Sequence, residues 1–181
     1  MFQVKKISIV SRAVLSGLSL LSFVIQANTF NYNYFEIRTG FQPEMAGLEL
    51  STLLTENSHF VARIDSELQG DWDTAIGVGF NGPINKFSDI YGQFLIHYLS
   101  YPLKINPFGK KIIEKEINFG GRFWLTEKIE AIGRIGRVSR QGSVFHVGAR
   151  FHSTEELSIS AEMRKNANYR TRATISVRFE F

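Results

Sequence analysis

The chain has no cysteine among its 181 residues, only four prolines, and beyond residue 27 no apolar run long enough for a membrane helix. Without cysteine there can be no disulfide, thiolate metal site, cysteine nucleophile or lipid-modified N-terminal cysteine. An exported protein of this kind has to hold its fold by backbone pairing and packing. A spanning helix needs ~20 apolar residues, so any membrane crossing after residue 27 must be made by strands. Charge of one sign is also scarce once the N-terminus is set apart. Lys5, Lys6 and Arg12 form a basic start, Ala13 to Ile25 is an uncharged apolar run, and Ala27 offers a small residue for cleavage. This pattern predicts a secretory signal peptide over 1–27, with one domain over 28–181; an uncleaved anchor helix is the alternative. Removing 1–27 takes away three of the 21 basic residues and none of the 17 acidic ones, so the net charge falls from +4 to +1. A near-neutral mature chain gives no case for nucleic-acid binding.

What remains alternates. At the C-terminus Thr171, Ala173, Ile175, Val177, Phe179 and Phe181 fall on one face, and Arg172, Thr174, Ser176, Arg178 and Glu180 on the other. A period of two is strand geometry. Nine further segments repeat it, around 35–41, 47–52, 60–68, 72–81, 90–98, 116–123, 130–136, 145–152 and 157–164, with Ile132 out of pattern. The segments are joined by turn-like sequences such as Gln42-Pro43-Glu44 and Asn166-Ala167-Asn168, with longer connections around Gly82-Pro83 and from Tyr101 to Lys111. The expected fold is all-β: a transmembrane, antiparallel, up-and-down β-barrel of about ten strands, with eight as the alternative count.

A soluble sandwich would also alternate, with its polar face in water. Here the polar face mixes Arg and Glu with Gly, Ser and Ala, which suits a crowded barrel interior. Hydrocarbon offers no hydrogen-bond partners, so strands cross it only in a closed sheet. An even strand number leaves both termini on the periplasmic side.

The closing stretch Ala173-Thr174-Ile175-Ser176-Val177-Arg178-Phe179-Glu180-Phe181 resembles the last strand of small outer-membrane β-barrel proteins, the OmpA/OmpX-like group. The Asp89-Ile90-Tyr91-Gly92 strand start and the repeated Leu-Thr-Glu turns are similar to that group too. The resemblance implies an outer-membrane location and makes Phe179 and Phe181 the signal read by the barrel-assembly machinery. Those barrels have eight strands, whereas ten segments are counted here.

The inward face carries the charge. Its acids are Glu36, Glu49, Asp65, Glu67, Asp73, Glu116, Glu130, Glu162 and Glu180; its bases are Arg38, Arg63, Arg122, Arg134, Arg150, Arg164, Arg172 and Arg178. Arginine pairs carboxylates in a bidentate way that lysine cannot. Such near balance in a narrow barrel predicts a ladder of ion pairs that plugs the lumen. The four histidines lack ligand spacing and read as lumen filler. His152-Ser153 is the one adjacent imidazole–hydroxyl pair, and no oxyanion hole can be placed beside it. Gly77-x-Gly79 and Gly120-Gly121 make room inside a barrel and are not phosphate loops.

With both termini periplasmic, the outer connections are 42–45, 69–72, 100–111, 139–143 and 166–170, and the inner ones 55–58, 82–88, 125–128 and 153–156. Lys104, Lys110, Lys111, Arg140, Lys165 and Arg170 then make a basic outer rim suited to lipopolysaccharide phosphates. The functional expectation is a monomeric, cofactor-free outer-membrane protein with a structural or surface-interaction role. A narrow small-solute channel is the alternative, ahead of a surface enzyme acting on lipid A or peptides.

Overall fold

The computed structural model describes residues 30–69, 71–100, 112–140, 142–166 and 170–181. The segment expected to be a signal peptide, residues 101–111 with Lys104, Lys110 and Lys111, and residues 167–169 lie outside them. Ten strands follow one another: β1 (Tyr34–Phe41), β2 (Met45–Thr55), β3 (Ser58–Ser66), β4 (Trp72–Asn85), β5 (Ser88–Ser100), β6 (Ile112–Trp124), β7 (Ile129–Val138), β8 (Gly142–His152), β9 (Leu157–Lys165) and β10 (Arg172–Glu180). Each pairs antiparallel with its sequence neighbours, and β1 pairs with β10 to close the barrel. The closing register sets Glu36 opposite Arg178 and Arg38 opposite Ser176. Closure leaves no sheet edge, the condition for placing strands in hydrocarbon.

The strands run 8 to 14 residues, bracketing the ~9–11 that a tilted spanning strand needs. Burial alternates along them with charged side chains inside: Glu36 is 0% exposed and Arg38 2%, while Ile37 between them is 48% exposed. That is the inverse of a soluble protein. Exposed Ile37, Leu48, Ile76, Ile96, Ile117 and Ile175 form the middle of the outer wall. Exposed Phe35, Phe123, Phe151 and Phe179 ring the end that carries the termini, and Phe41, Trp72, Tyr98 and Phe145 ring the other. An apolar band between two aromatic girdles is the outer surface of a membrane barrel.

One expectation needs correction. The 82–88 connection is not a loop: β4 runs through Gly82 and Pro83 to Asn85, with a register shift between Pro83 and Asn85. Its Gly-Pro pair reads as a turn in sequence, but proline is tolerated where a strand is irregular and has no partner on one side. Asn81 is the last residue here to bond across to the β2–β3 turn, donating to Asn57 O at 3.1 Å. Ile132 is out of pattern as the alternation indicates, an apolar residue on the face of Glu130 and Arg134. It points inward and is 6% exposed, so the interior takes an apolar residue there.

Candidate functional site

The lumen is the only place where chemistry-bearing side chains converge among the described residues. Glu36, the third residue of β1, is its hub. Arg178 and Arg150 reach its Oε2 at 2.8 Å, while Arg164 and Arg38 reach its Oε1 at 3.3 and 3.4 Å. Arg150, Arg164 and Arg178 come from β8, β9 and β10, more than 110 residues away in sequence. Glu49 on β2 is a second hub, with Arg63 at 2.8 Å, Arg38 at 3.0 Å and the Tyr34 hydroxyl donating at 2.7 Å. Arg38 also donates to Asp65 at 3.0 Å. That bond depends on Gly47 opposite, because a Cβ there would lie 2.1 Å from Asp65 Oδ1.

Lateral neighbours on adjacent strands are often alike in charge: Glu36 faces Glu49 and Arg164 faces Arg172. Like charges directly opposite are unfavourable, and the network relieves them by diagonal and cross-lumen pairing. Arg164 turns to Glu162 two residues back, and Arg172 to Glu67, which lies just past the end of β3. Near the terminal end Arg122 makes a bidentate pair with Glu130 at 2.6 and 3.0 Å, and Glu130 also takes His152 at 3.0 Å. Glu180 borders the mouth at this end.

The histidines are members of this network as well as filler. His97 lies between Asp73 at 2.7 Å and Glu116 at 2.8 Å. Only a doubly protonated ring can donate to both. Asp73 and Glu116 therefore pair with a histidine and not with an arginine. Asp89 and Glu114, absent from the inward acids read in the sequence, are also buried; Asp89 accepts the Tyr32 hydroxyl at 2.8 Å and Glu114 the Ser139 hydroxyl. Both sit at strand ends, where alternation gives too few neighbours to assign a face. Arg134 departs most from expectation. No carboxylate among the described residues lies within ion-pair distance of it, and its one bond is to Gln93 at 3.4 Å. His152 is engaged by Glu130 and packs on Trp124 with ring centroids 4.6 Å apart, while Ser153 lies in an exposed turn.

These side chains shut the barrel. At its waist the remaining space is a cavity of about 30 Å³. Toward the terminal end the mouth widens to about 770 Å³ between Trp124, Glu127, His152 and Glu180. The chain preceding β1 enters this mouth. Tyr32 stacks on His59 at 4.6 Å, and Arg122 donates to Asn31 O at 2.8 Å. At the opposite rim Arg140 and Arg170 are exposed and Lys165 is half-buried.

A closed antiparallel barrel with a lipid-type outer wall and a charged interior defines the class: a porin-like membrane β-barrel. No protein-family model matches the chain, and no curated protein matches it in sequence. Among solved structures, the chain is similar to the KdgM porin, with a TM-score of 0.51 and 10% identity over 82% of this chain and 99% of that one. It is equally similar to the KdgM porin in complex with disordered oligogalacturonate, with a TM-score of 0.52 and 10% identity over the same shares. At such identity the likeness is one of fold. It supports a porin-like barrel and not the narrower OmpA/OmpX-like group that the C-terminal strand resembles.

Proposed function

We propose that the chain is exported with loss of residues 1–27 and works in the outer membrane as a narrow channel, shut in this conformation by its own side chains. The carrying observation is how the waist closes. Apart from Tyr32, the closing groups are side chains of the barrel wall, and they share partners: Glu36 alone faces four arginines. Groups with shared partners can exchange them by changing rotamer while every strand stays paired. The wide terminal mouth leading to a closed waist fits a conduit better than a solid plug. The likeness of fold to the KdgM porin in complex with disordered oligogalacturonate points the same way, and the arginine-lined waist favours anions over cations. This displaces the structural or surface role expected from sequence to second place. That second reading, a permanently sealed barrel, draws on the burial of the same network, since separating a buried ion pair costs several kcal/mol.

Purified mature protein in planar bilayers separates the two. The expected record is rare, small, discrete steps with anion preference, made more frequent by Tyr32→Ala at the mouth. Silence of both proteins at either polarity would assign the sealed barrel. Phe179 and Phe181 as the assembly signal, and Arg140, Lys165 and Arg170 with the three loop lysines as a lipopolysaccharide-binding rim, belong to the same proposal.

A further inference from the structure

The cavity at the waist has mostly basic walls. Arg122, Arg134, Arg150, Arg164 and Arg178 all border it, and Glu49 is the one carboxylate among the described residues in its lining. Glu49 is already engaged by Arg38, Arg63 and Tyr34. Several of the bordering donors have no partner. Arg134, 4% exposed, leaves Nε and Nη2 without a hydrogen bond; Arg150, 1% exposed, leaves Nε and Nη1; Arg164, 4% exposed, leaves Nη1. Guanidinium nitrogens only donate, and a buried charged donor left unsatisfied is costly. What fits is therefore an acceptor, and one that carries negative charge, because a water molecule would satisfy donors without offsetting Arg134.

Size narrows the choice. The centre of a water-sized sphere can move over about 30 Å³ there, more than the ~10–15 Å³ that holding one water requires, so a monatomic anion fits. We infer that the lumen holds a single halide-sized inorganic anion, chloride in practice, bound between Arg134, Arg150 and Arg164. The ion supplies negative charge at the one level where the cavity lining has five arginines and a single carboxylate. The inference is independent of conduction, since a sealed barrel can enclose the ion as it assembles.

Crystals of the mature protein grown in bromide, measured at the bromine absorption edge, locate the ion directly. The expected result is an anomalous peak inside the cavity. Unfolding midpoints in chloride and in gluconate at equal ionic strength add a second reading, gluconate being too large to enter. Chloride should raise the midpoint of the parent and of Arg140→Gln at the rim. In Arg134→Gln the chloride concentration needed should rise about tenfold, the effect of losing one charge-assisted hydrogen bond. An empty cavity in the bromide map, or an equal chloride response in Arg134→Gln, would overturn the site. Should Arg134→Gln not fold, the bromide map of the parent decides alone.

Discussion

Glu36→Ala is expected to be the most damaging single substitution in the barrel. It strips the shared acceptor from Arg38, Arg150, Arg164 and Arg178, all buried. Removing one partner of a buried pair costs ~3–5 kcal/mol because the remaining charge is stranded. Here four guanidinium groups lose an acceptor at once. Arg38 keeps Glu49 and Asp65, and Arg164 keeps Glu162, but Arg178 has no second carboxylate among the described contacts. Its remaining neighbour is the Tyr34 ring, 3.5 Å from the guanidinium carbon. Urea unfolding of the refolded protein in lipid vesicles measures the loss. Glu67→Ala, which removes a partly exposed partner of Arg172, should cost much less under the same conditions. Equal effects of the two would mean that the interior is as wet as the rim.

Gly77→Ala is the second large effect, and its cause is steric. A Cβ at Gly77 would lie 1.9 Å from the Phe94 carbonyl oxygen and 2.8 Å from the Leu95 Cα, both backbone of β5. Backbone in a closed sheet cannot step aside as a side chain can. Overpacking of this kind costs ~1–3 kcal/mol, and this site belongs at the upper end. Gly133→Ala is the contrast, since nothing lies within 4 Å of its Cβ. It should be neutral or stabilising by ~0.4–1 kcal/mol through the unfolded chain. The same unfolding measurement compares the two, and a Gly77→Ala protein as stable as Gly133→Ala would remove the steric argument.

Much of this architecture is legible in sequence because a strand writes its two faces at every second residue. Ile37 between Glu36 and Arg38, or Ile175 between Thr174 and Ser176, assigns lipid and lumen without any tertiary knowledge. Ten strands could be counted for the same reason. The alternation weakens where local chemistry imitates something else: Gly82-Pro83 reads as a turn and is strand. Partner choice is a different matter. Glu36 meets Arg150 because ten strands close with a particular stagger, which brings together groups 114 residues apart. Counting inward charges predicts a ladder, and it cannot foresee that His97 takes two of the carboxylates or that Arg134 is left with none. Those outcomes depend on register and reach across the lumen, and they decide where the waist is basic.

One assignment underlies the whole barrel: the apolar face of every strand meets lipid and the charged face meets the lumen. The absence of cysteine makes it directly measurable, because each introduced cysteine is unique. Nitroxide labels at Ile37→Cys, Ile76→Cys and Ile175→Cys in refolded vesicles should collide with dissolved oxygen and be shielded from an aqueous nickel chelate. A label at Glu127→Cys, in a turn, should meet the chelate freely, and one at Ser176→Cys should be immobilised and shielded from both. Labels at Ile37→Cys, Ile76→Cys and Ile175→Cys that met the chelate as readily as the label at Glu127→Cys would contradict the membrane barrel.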